Sequence, residues 1–273
     1  MTYEEYMERF DAVKVKNDII SWIKQWFREN GNGCKAVVGL SGGKDSAVVA
    51  ALCVAALGSD KVFGVYMPNS RQTAEQRLDN SELITQDYND VEALASHLGI
   101  RWRLVDIAEP YIGLCMNICA NNYVDGSDMK MSAQALINLA PRLRMAALYA
   151  VSQSIGGRVA NTCNLSEDWV GYSTRYGDSV GDFSPLSNLT TDEVIAVGLA
   201  LGLPENLVKK TPSDGVCGKS DEDNLGFTYR TLNEYIRLGT CEDLDVKQVI
   251  DDKHQKNLFK LQLMPVFEYT PNN

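Results

Sequence analysis

The chain has 273 residues, with 45% hydrophobic and 23% charged; this is ordinary globular composition and excludes a disordered, collagen-like or disulfide-built chain. Its 26 basic and 36 acidic residues leave a net charge of −10, and no basic run offsets it, so nucleic acid is not an expected partner. Charges at Glu4, Glu5, Glu8, Arg9, Asp11, Lys14, Lys16 and Asp18, and the lack of an uncharged apolar run of about 18 residues, leave no expectation of a signal peptide or membrane contact. Cysteines at 34, 53, 115, 119, 163, 217 and 241 are odd in number and scattered, which suits reduced thiols in a cytoplasmic protein. Cys115 and Cys119 fit one helical face, but His97 and His254 are the only histidines, so a zinc site is not expected.

From Tyr3 to Glu29 the apolar residues recur at three- to four-residue steps, predicting one or two amphipathic helices that end at Gly31 and Gly33. Lys35 to Leu40 is a short β-branched run and predicts a strand. Ser46 to Leu57, apolar nearly all round, predicts a buried helix. Lys61 to Tyr66 predicts a second strand, Val91 to Leu98 a helix closing at Gly99, and Ile100 to Val105 a third strand. Such alternation favours a parallel sheet wound by helices, with ligands at the carboxyl ends of the strands.

Gln134 to Ser154 is a long helical pattern interrupted by Pro141; a break there would start a new segment at Arg142 and Arg144. Arg158 to Ala160 reads as a short strand, and Asn161 to Asp182 as a polar, aromatic-bearing loop. Thr190 signals another helix start and Lys209 to Asp223 a polar loop, while Leu225 to Leu238 and Leu244 to Leu258 read as helices. With no repeat and no internal boundary, residues 1–273 read as a single domain, with N-terminal helices over about 1–30 and a C-terminal tail over about 241–273.

The segment Gly39-Leu40-Ser41-Gly42-Gly43-Lys44-Asp45-Ser46 joins the first strand to the buried helix. Glycines permit close backbone approach, and a helix start offers unpaired N–H groups and a favourable dipole to phosphate. The spacing is neither that of a Walker A loop nor GxGxxG. SGGKDS resembles the SGGxDS pyrophosphate loop of the ATP pyrophosphatase superfamily, whose members cleave ATP to AMP and pyrophosphate.

Further stretches resemble ammonia-dependent NAD synthetases, in that family's order: Asn138 to Met145 (NLAPRLRM), Asn161 to Asp182 with its YGD triplet, Pro185 to Thr190 with Pro212-Ser213-Asp214, and Ser220-Asp221-Glu222 followed by Leu225-Gly226 and Tyr229. The resemblance implies a Rossmann-like α/β fold of the adenine nucleotide α-hydrolase type: a parallel sheet flanked by helices. It further implies a homodimer, ATP as co-substrate and Mg2+, and ammonia-dependent amidation of deamido-NAD through an acyl-adenylate.

Matched residue by residue, the resemblance implies Asp45 and Glu167 as magnesium ligands. Gly39 to Ser46, Thr162, Thr191 and Ser213 fall at ATP-contacting positions, and Arg142, Arg175, Asp182 and Lys260 at deamido-NAD positions. Ammonium must lose a proton before it attacks, which makes Asp178 of the YGD triplet the candidate base, with a turn-forming Asp beside Gly177 as the alternative. Thr191 stands where the family commonly has an ATP-binding lysine, a charge that Lys209, Lys210 or Lys219 could supply instead. Arg175 replaces a lysine, Cys163 and Asn164 replace an Asp-His pair, and Phe259 replaces a histidine. Two alternatives are another ATP pyrophosphatase synthetase and a nucleotide-binding regulator without turnover.

Overall fold

The computed structural model describes residues 1–70, 81–119, 130–210 and 221–269, with 81–85 described by backbone alone. Helices α1 (Tyr3–Arg9) and α2 (Ala12–Asn30) open the chain. The reciprocal bonds Glu5 N–H to Thr2 Oγ1 (3.2 Å) and Thr2 N–H to Glu5 Oε2 (3.0 Å) cap α1, and Asp11 caps α2 through the Lys14 N–H (2.9 Å). This second cap divides the periodic stretch in two, because a side chain that accepts an orphan N–H starts a new helix.

There follow β1 (Lys35–Leu40), α3 (Lys44–Leu57), β2 (Val62–Tyr66), α4 (Ser81–Leu98), β3 (Arg101–Leu104), α5 (Ala108–Cys119), α6 (Ala133–Ser154) and β4 (Gly157–Ala160). Then come α7 (Leu165–Val170), α8 (Thr191–Ala200), α9 (Glu205–Val208), α10 (Asp221–Leu225), α11 (Tyr229–Leu238), α12 (Leu244–Asn257) and a 3-10 turn, Leu258–Lys260. The strands pair in parallel in the order β3-β2-β1-β4. β2 and β3 build outward on one side of β1 while β4 joins on the other, so the carboxyl ends of β1 and β4 form the topological switch point, where open parallel sheets bind ligands.

Alternation along β1 supplies both faces of the sheet. Ala36, Val38 and Leu40 pack with Ile23 and Phe27 of α2 and with Val48 and Leu52 of α3. Val37 joins Val65, Val159 and, from α6, Ala140 and Leu148. Each fully buried valine or leucine contributes about 1.5–3 kcal/mol, which fixes the register of so short a sheet. A third cluster, Val170 with Leu225, Phe227, Leu232 and Ile250, packs the C-terminal helices against α7.

Helix α6 runs through Pro141 without the expected break. The Tyr111 hydroxyl donates to the Leu136 carbonyl (3.1 Å), one residue before the carbonyl that the proline deprives of its amide partner. The expected loop from Asn161 to Asp182 contains α7, started by an Asn164–Glu167 capping box. The stretch from Leu225 to Leu238 divides, because Thr228 caps a fresh helix through the Thr231 N–H (3.1 Å). Helix α4 begins at Ser81 rather than Val91. No helix among the described residues is long and apolar enough to cross a membrane.

Candidate active site

The loop after β1 wraps on itself at the switch point. The Ser41 N–H and hydroxyl meet Ser46 Oγ at 3.3 and 3.1 Å, the Gly43 N–H donates to Ser41 Oγ (3.2 Å), and Ser46 Oγ donates to the Gly43 carbonyl (3.0 Å). Gly42 has φ +78°, and a Cβ there would lie 3.1 Å from Asp87 Cα, so both conformation and space call for glycine. Gly43 caps α3 without a side-chain acceptor, and the start of this helix therefore offers its N–H groups to an anion. Gly39 and Leu40 lie in β1 beneath the loop.

Lys44 and Asp45 open α3. Lys44 is buried, with Nζ 2.9 Å from Asp45 Oδ2. Burial opposes its charge, but Asp45, then Glu167 and Asp221, outweigh that penalty and hold the ammonium above the ordinary lysine range. Asp45 Oδ1 accepts from Asn164 Nδ2 (3.1 Å), while Asn164 Oδ1 accepts the Glu167 N–H (3.1 Å) and Glu167 Oε2 accepts the Asn164 N–H (3.2 Å). One fully buried asparagine thus links the carboxylate that follows β1 to the carboxylate that follows β4. Burial, then the charge of Asp45, push the Glu167 carboxyl well above the usual range, against the opposing pull of Lys44 and the Asn164 N–H.

Beyond α7 lies the loop that carries Arg175 and Asp178. Asp178 Oδ1 accepts the Thr174 N–H (2.7 Å), and the Asp178 carbonyl accepts from Asn161 Nδ2 (2.8 Å) and Cys163 Sγ (3.3 Å). Asp178 keeps access to water but is also ringed by protein atoms. That crowding raises its carboxyl above the ordinary range, outweighing the Thr174 N–H and the Arg144 and Lys260 charges, which lower it. Arg142 reaches this loop through Nε and the Arg175 carbonyl (3.3 Å). The Arg175 guanidinium lies 5.0 Å from the Tyr176 ring and 5.2 Å from the Phe259 ring, so Arg175 and Phe259, both departures from the family pattern, meet as a cation–π pair. Lys260 Nζ donates to the carbonyls of Gly171 (2.8 Å) and Ser173 (3.0 Å).

Other expected residues are placed differently. Asp182 sits at the edge of β4, where its oxygens accept the Val159 N–H (2.7 Å) and the Tyr149 hydroxyl (3.3 Å). Thr162 is half-buried between Asn161 and Cys163; the Asn161 side chain holds that turn by accepting the Cys163 N–H (3.0 Å). Thr191 is only 4% exposed, its N–H donates to Ser166 Oγ (3.1 Å), and its hydroxyl has no partner among the described residues. Of the lysines considered in its place, Lys209 pairs with Glu205 on the surface. Lys210 meets the Gly42 carbonyl (3.4 Å), Asp87 (2.9 Å) and Asp90 (2.7 Å) at the glycine loop itself. Ser213 and Lys219 lie outside the described residues.

Asn164, a departure from the family's usual residue, is the member of this constellation that the family pattern does not single out. The signal for it is Asn-Leu-Ser-Glu, a capping-box spacing directly after a strand. A model of the NAD synthase family matches residues 15–267. The NH3-dependent NAD+ synthetase of Finegoldia magna is 35% identical over 261 residues, 95% of this chain and 98% of that protein. That of Pyrococcus horikoshii is 36% identical over 219 residues, 80% and 76% of the two chains. Among solved structures, NMN synthetase from Francisella tularensis has a TM-score of 0.81 at 26% identity, and NH3-dependent NAD synthetase from Campylobacter jejuni one of 0.71 at 26%, each likeness covering 95% of this chain and 100% of the other. With a glycine loop at the switch point and a family match along nearly its whole length, the chain belongs to the NAD synthase family.

Proposed function

We propose that the chain amidates deamido-NAD with ammonia, converting ATP to AMP and pyrophosphate. The observation that carries this reading is the Asn164 bridge, which draws Asp45 and Glu167 together beside the glycine loop and the uncapped start of α3. Two hard carboxylates, one of them crowded by protein and facing the charge of the other, fit a divalent cation that takes its remaining ligands from phosphate and water. Mg2+ held by Asp45 and Glu167 would supply Lewis-acid neutralisation of the triphosphate.

The remaining work falls to the chain's own groups. The loop N–H groups and the start of α3 stabilise the charge that grows on pyrophosphate as a substrate carboxylate oxygen bonds to the α-phosphorus and the bond to the β-phosphate bridge breaks. Lys210 adds the cation at this loop that Thr191 does not provide. Arg142 and Arg175 orient the acid substrate, since a guanidinium binds carboxylate or phosphate in a fork. Asp178 accepts one proton from ammonium; the resulting ammonia adds to the acyl carbon, and AMP leaves with the electrons of the broken C–O bond as a second proton is lost. A homodimer belongs to the proposal: Leu114 and Met116 on α5 and Ile137 on α6 leave apolar side chains exposed. Reduced thiols in a cytoplasm belong to it as well.

The likeness to NMN synthetase supports a second reading, the same chemistry on nicotinate mononucleotide. Purified protein is to be incubated with ATP, Mg2+, ammonium and either acid, following amide, AMP and pyrophosphate together. Equal formation of all three with the dinucleotide is expected; preference for the mononucleotide selects the second reading. ATP cleavage without an amide means another acceptor, and nucleotide binding without cleavage means a regulator. Asp178→Asn with unchanged turnover at limiting ammonium would remove the base from the scheme.

A further inference from the structure

Helix α7 carries Glu167 and has only six residues, too few to be stable alone. Its N-terminal end is tied to Asp45 through Asn164. At its C-terminal end Tyr172 N–H returns to the Glu167 carbonyl (2.8 Å) and Gly171 N–H to that of Asp168 (3.1 Å), the closing pattern that leaves the following carbonyls in need of outside donors.

Those donors come from one place. His254 Nδ1 meets the Trp169 carbonyl at 2.8 Å, Asn257 Nδ2 the Val170 carbonyl at 3.2 Å, and Lys260 Nζ the carbonyls of Gly171 and Ser173 at 2.8 and 3.0 Å. A carbonyl only accepts, so Nδ1 of His254 carries a proton. The donors recur every third residue from α12 into the 3-10 turn, matching a ladder of acceptors. His254 also stacks on Trp169, with ring centroids 4.1 Å apart. Gly171 has φ +65°, and a Cβ there would lie 2.2 Å from Asn257, so the contact is made backbone to side chain with no room for any other residue.

We infer that His254, Asn257 and Lys260 form a positioning clamp that holds α7 and the loop to Asp178 in the geometry the ATP site requires. The inference rests on the reading of the site given above and assigns Lys260 a positioning role, since two of its three N–H donors go to carbonyls of the loop. Asn257 is the clearest member: its amide hydrogens go to the Val170 carbonyl and, at 2.7 Å, to that of Lys253, which leaves no donor for a ligand. The aromatic stack of Phe259 on Arg175 extends the same clamp to the substrate loop.

The test is hydrogen exchange on the ligand-free protein together with steady-state kinetics, for wild type, Asn257→Ala, Lys260→Met, Lys260→Arg and the double variant Asn257→Ala/Lys260→Met. In Asn257→Ala, exchange across residues 169–175 is expected to rise roughly fivefold, as the loss of one hydrogen bond allows, while β1 keeps wild-type protection. Its kcat/KM for ATP should fall about tenfold, within the ~100-fold that a small misplacement can cost. Lys260→Arg should restore what Lys260→Met loses, and the double variant should lose less than the product of the singles, because both act on one element. If Lys260→Met instead raises only the KM of the acid substrate and Asn257→Ala changes neither exchange nor kinetics, the clamp is wrong. Faster exchange throughout β1 in Asn257→Ala and again in the milder Asn257→Ser would also overturn it, by making Asn257 a residue of general stability. A wild-type protein that never cleaves ATP would sink the functional reading, yet the exchange comparison would still decide the clamp.

Discussion

Asn164 performs two jobs with one amide group: its oxygen caps α7 and its nitrogen holds Asp45. Serine can do the first but not the second, because its hydroxyl accepts an N–H as an N-cap but is too short to replace the amide donor as well. Asn164→Ser is therefore expected to unfold close to the wild-type temperature while its apparent ATP KM rises several-fold. Asn164→Ala should lose both functions and add a stability cost of about 0.5–2 kcal/mol. Thermal melts set beside ATP saturation curves separate the two effects. Wild-type kinetics in Asn164→Ser would show that Asp45 needs no anchor.

At the scale of elements, α1 is pinned to α8 and α11 through a buried carboxylate. Glu193, 1% exposed, accepts from the Tyr6 hydroxyl, from Arg237 Nε (2.7 Å) and Nη2 (2.5 Å), and from the Thr190 N–H (2.8 Å); such a charge is tolerated in the interior because its lone pairs are met. Burial and then Glu193 push the Tyr6 phenol from 10.0 up to about 12. In the interval between those values the folded state holds a proton that the unfolded state has lost, so stability falls as pH rises through it. The advantage of wild type over Tyr6→Phe should thus be full at about pH 8 and shrink toward about pH 11, as melting temperatures would show; a gap constant with pH would mean the phenol titrates normally. Elements of this kind differ in how far the sequence discloses them. β1 is legible to the residue because an apolar run between glycines has few other uses, and so is the place of the SGGKDS loop between that strand and a helix apolar nearly all round. The first half of α4 is less so: Leu83, Ile84 and Tyr88 extend the spacing of Val91 and Leu94, but they sit among seven polar residues from Ser81 to Asp90, which weakens the pattern. α5 is hidden by Pro110 and Gly113, although a proline in the first turn forfeits no bond. Pro141 misleads for the opposite reason: Ala140 before it and Leu148 after it pack on the sheet, and with a tyrosine from α5 they hold together a helix that local propensity would interrupt. Lys210 and Asn257 act across large sequence separations, and no local pattern reports a contact of that kind.

Across the whole molecule, the two sides of the site are tied to a rigid sheet by very different means. α3 is buried almost all round and contributes Cys53, which is 0% exposed and whose thiol burial pushes up to about 12. The loop after β4 is held by polar bonds, among them Cys163 Sγ to the Asp178 carbonyl (3.3 Å), and burial raises the Cys163 thiol as well. Thiolates are the reactive form, so neither cysteine should be alkylated in the closed protein, whereas Cys119 is exposed. Their routes to reaction differ. Cys53 requires global unfolding, but Cys163 needs only the turn from Asn161 to Asn164 to part from the loop at Asp178, a contact made by polar bonds, and local openings of this kind cost less free energy. Alkylation followed by mass spectrometry should rank Cys119 first, Cys163 next and Cys53 last. On the proposed function, adding Mg2+ and ATP should slow Cys163 far more than Cys119, because an ion held by Asp45 and Glu167 would lock the loop to the sheet. Equal rates at Cys163 and Cys53 would mean that the loop opens only when the core does, making the site as rigid as the sheet that carries it.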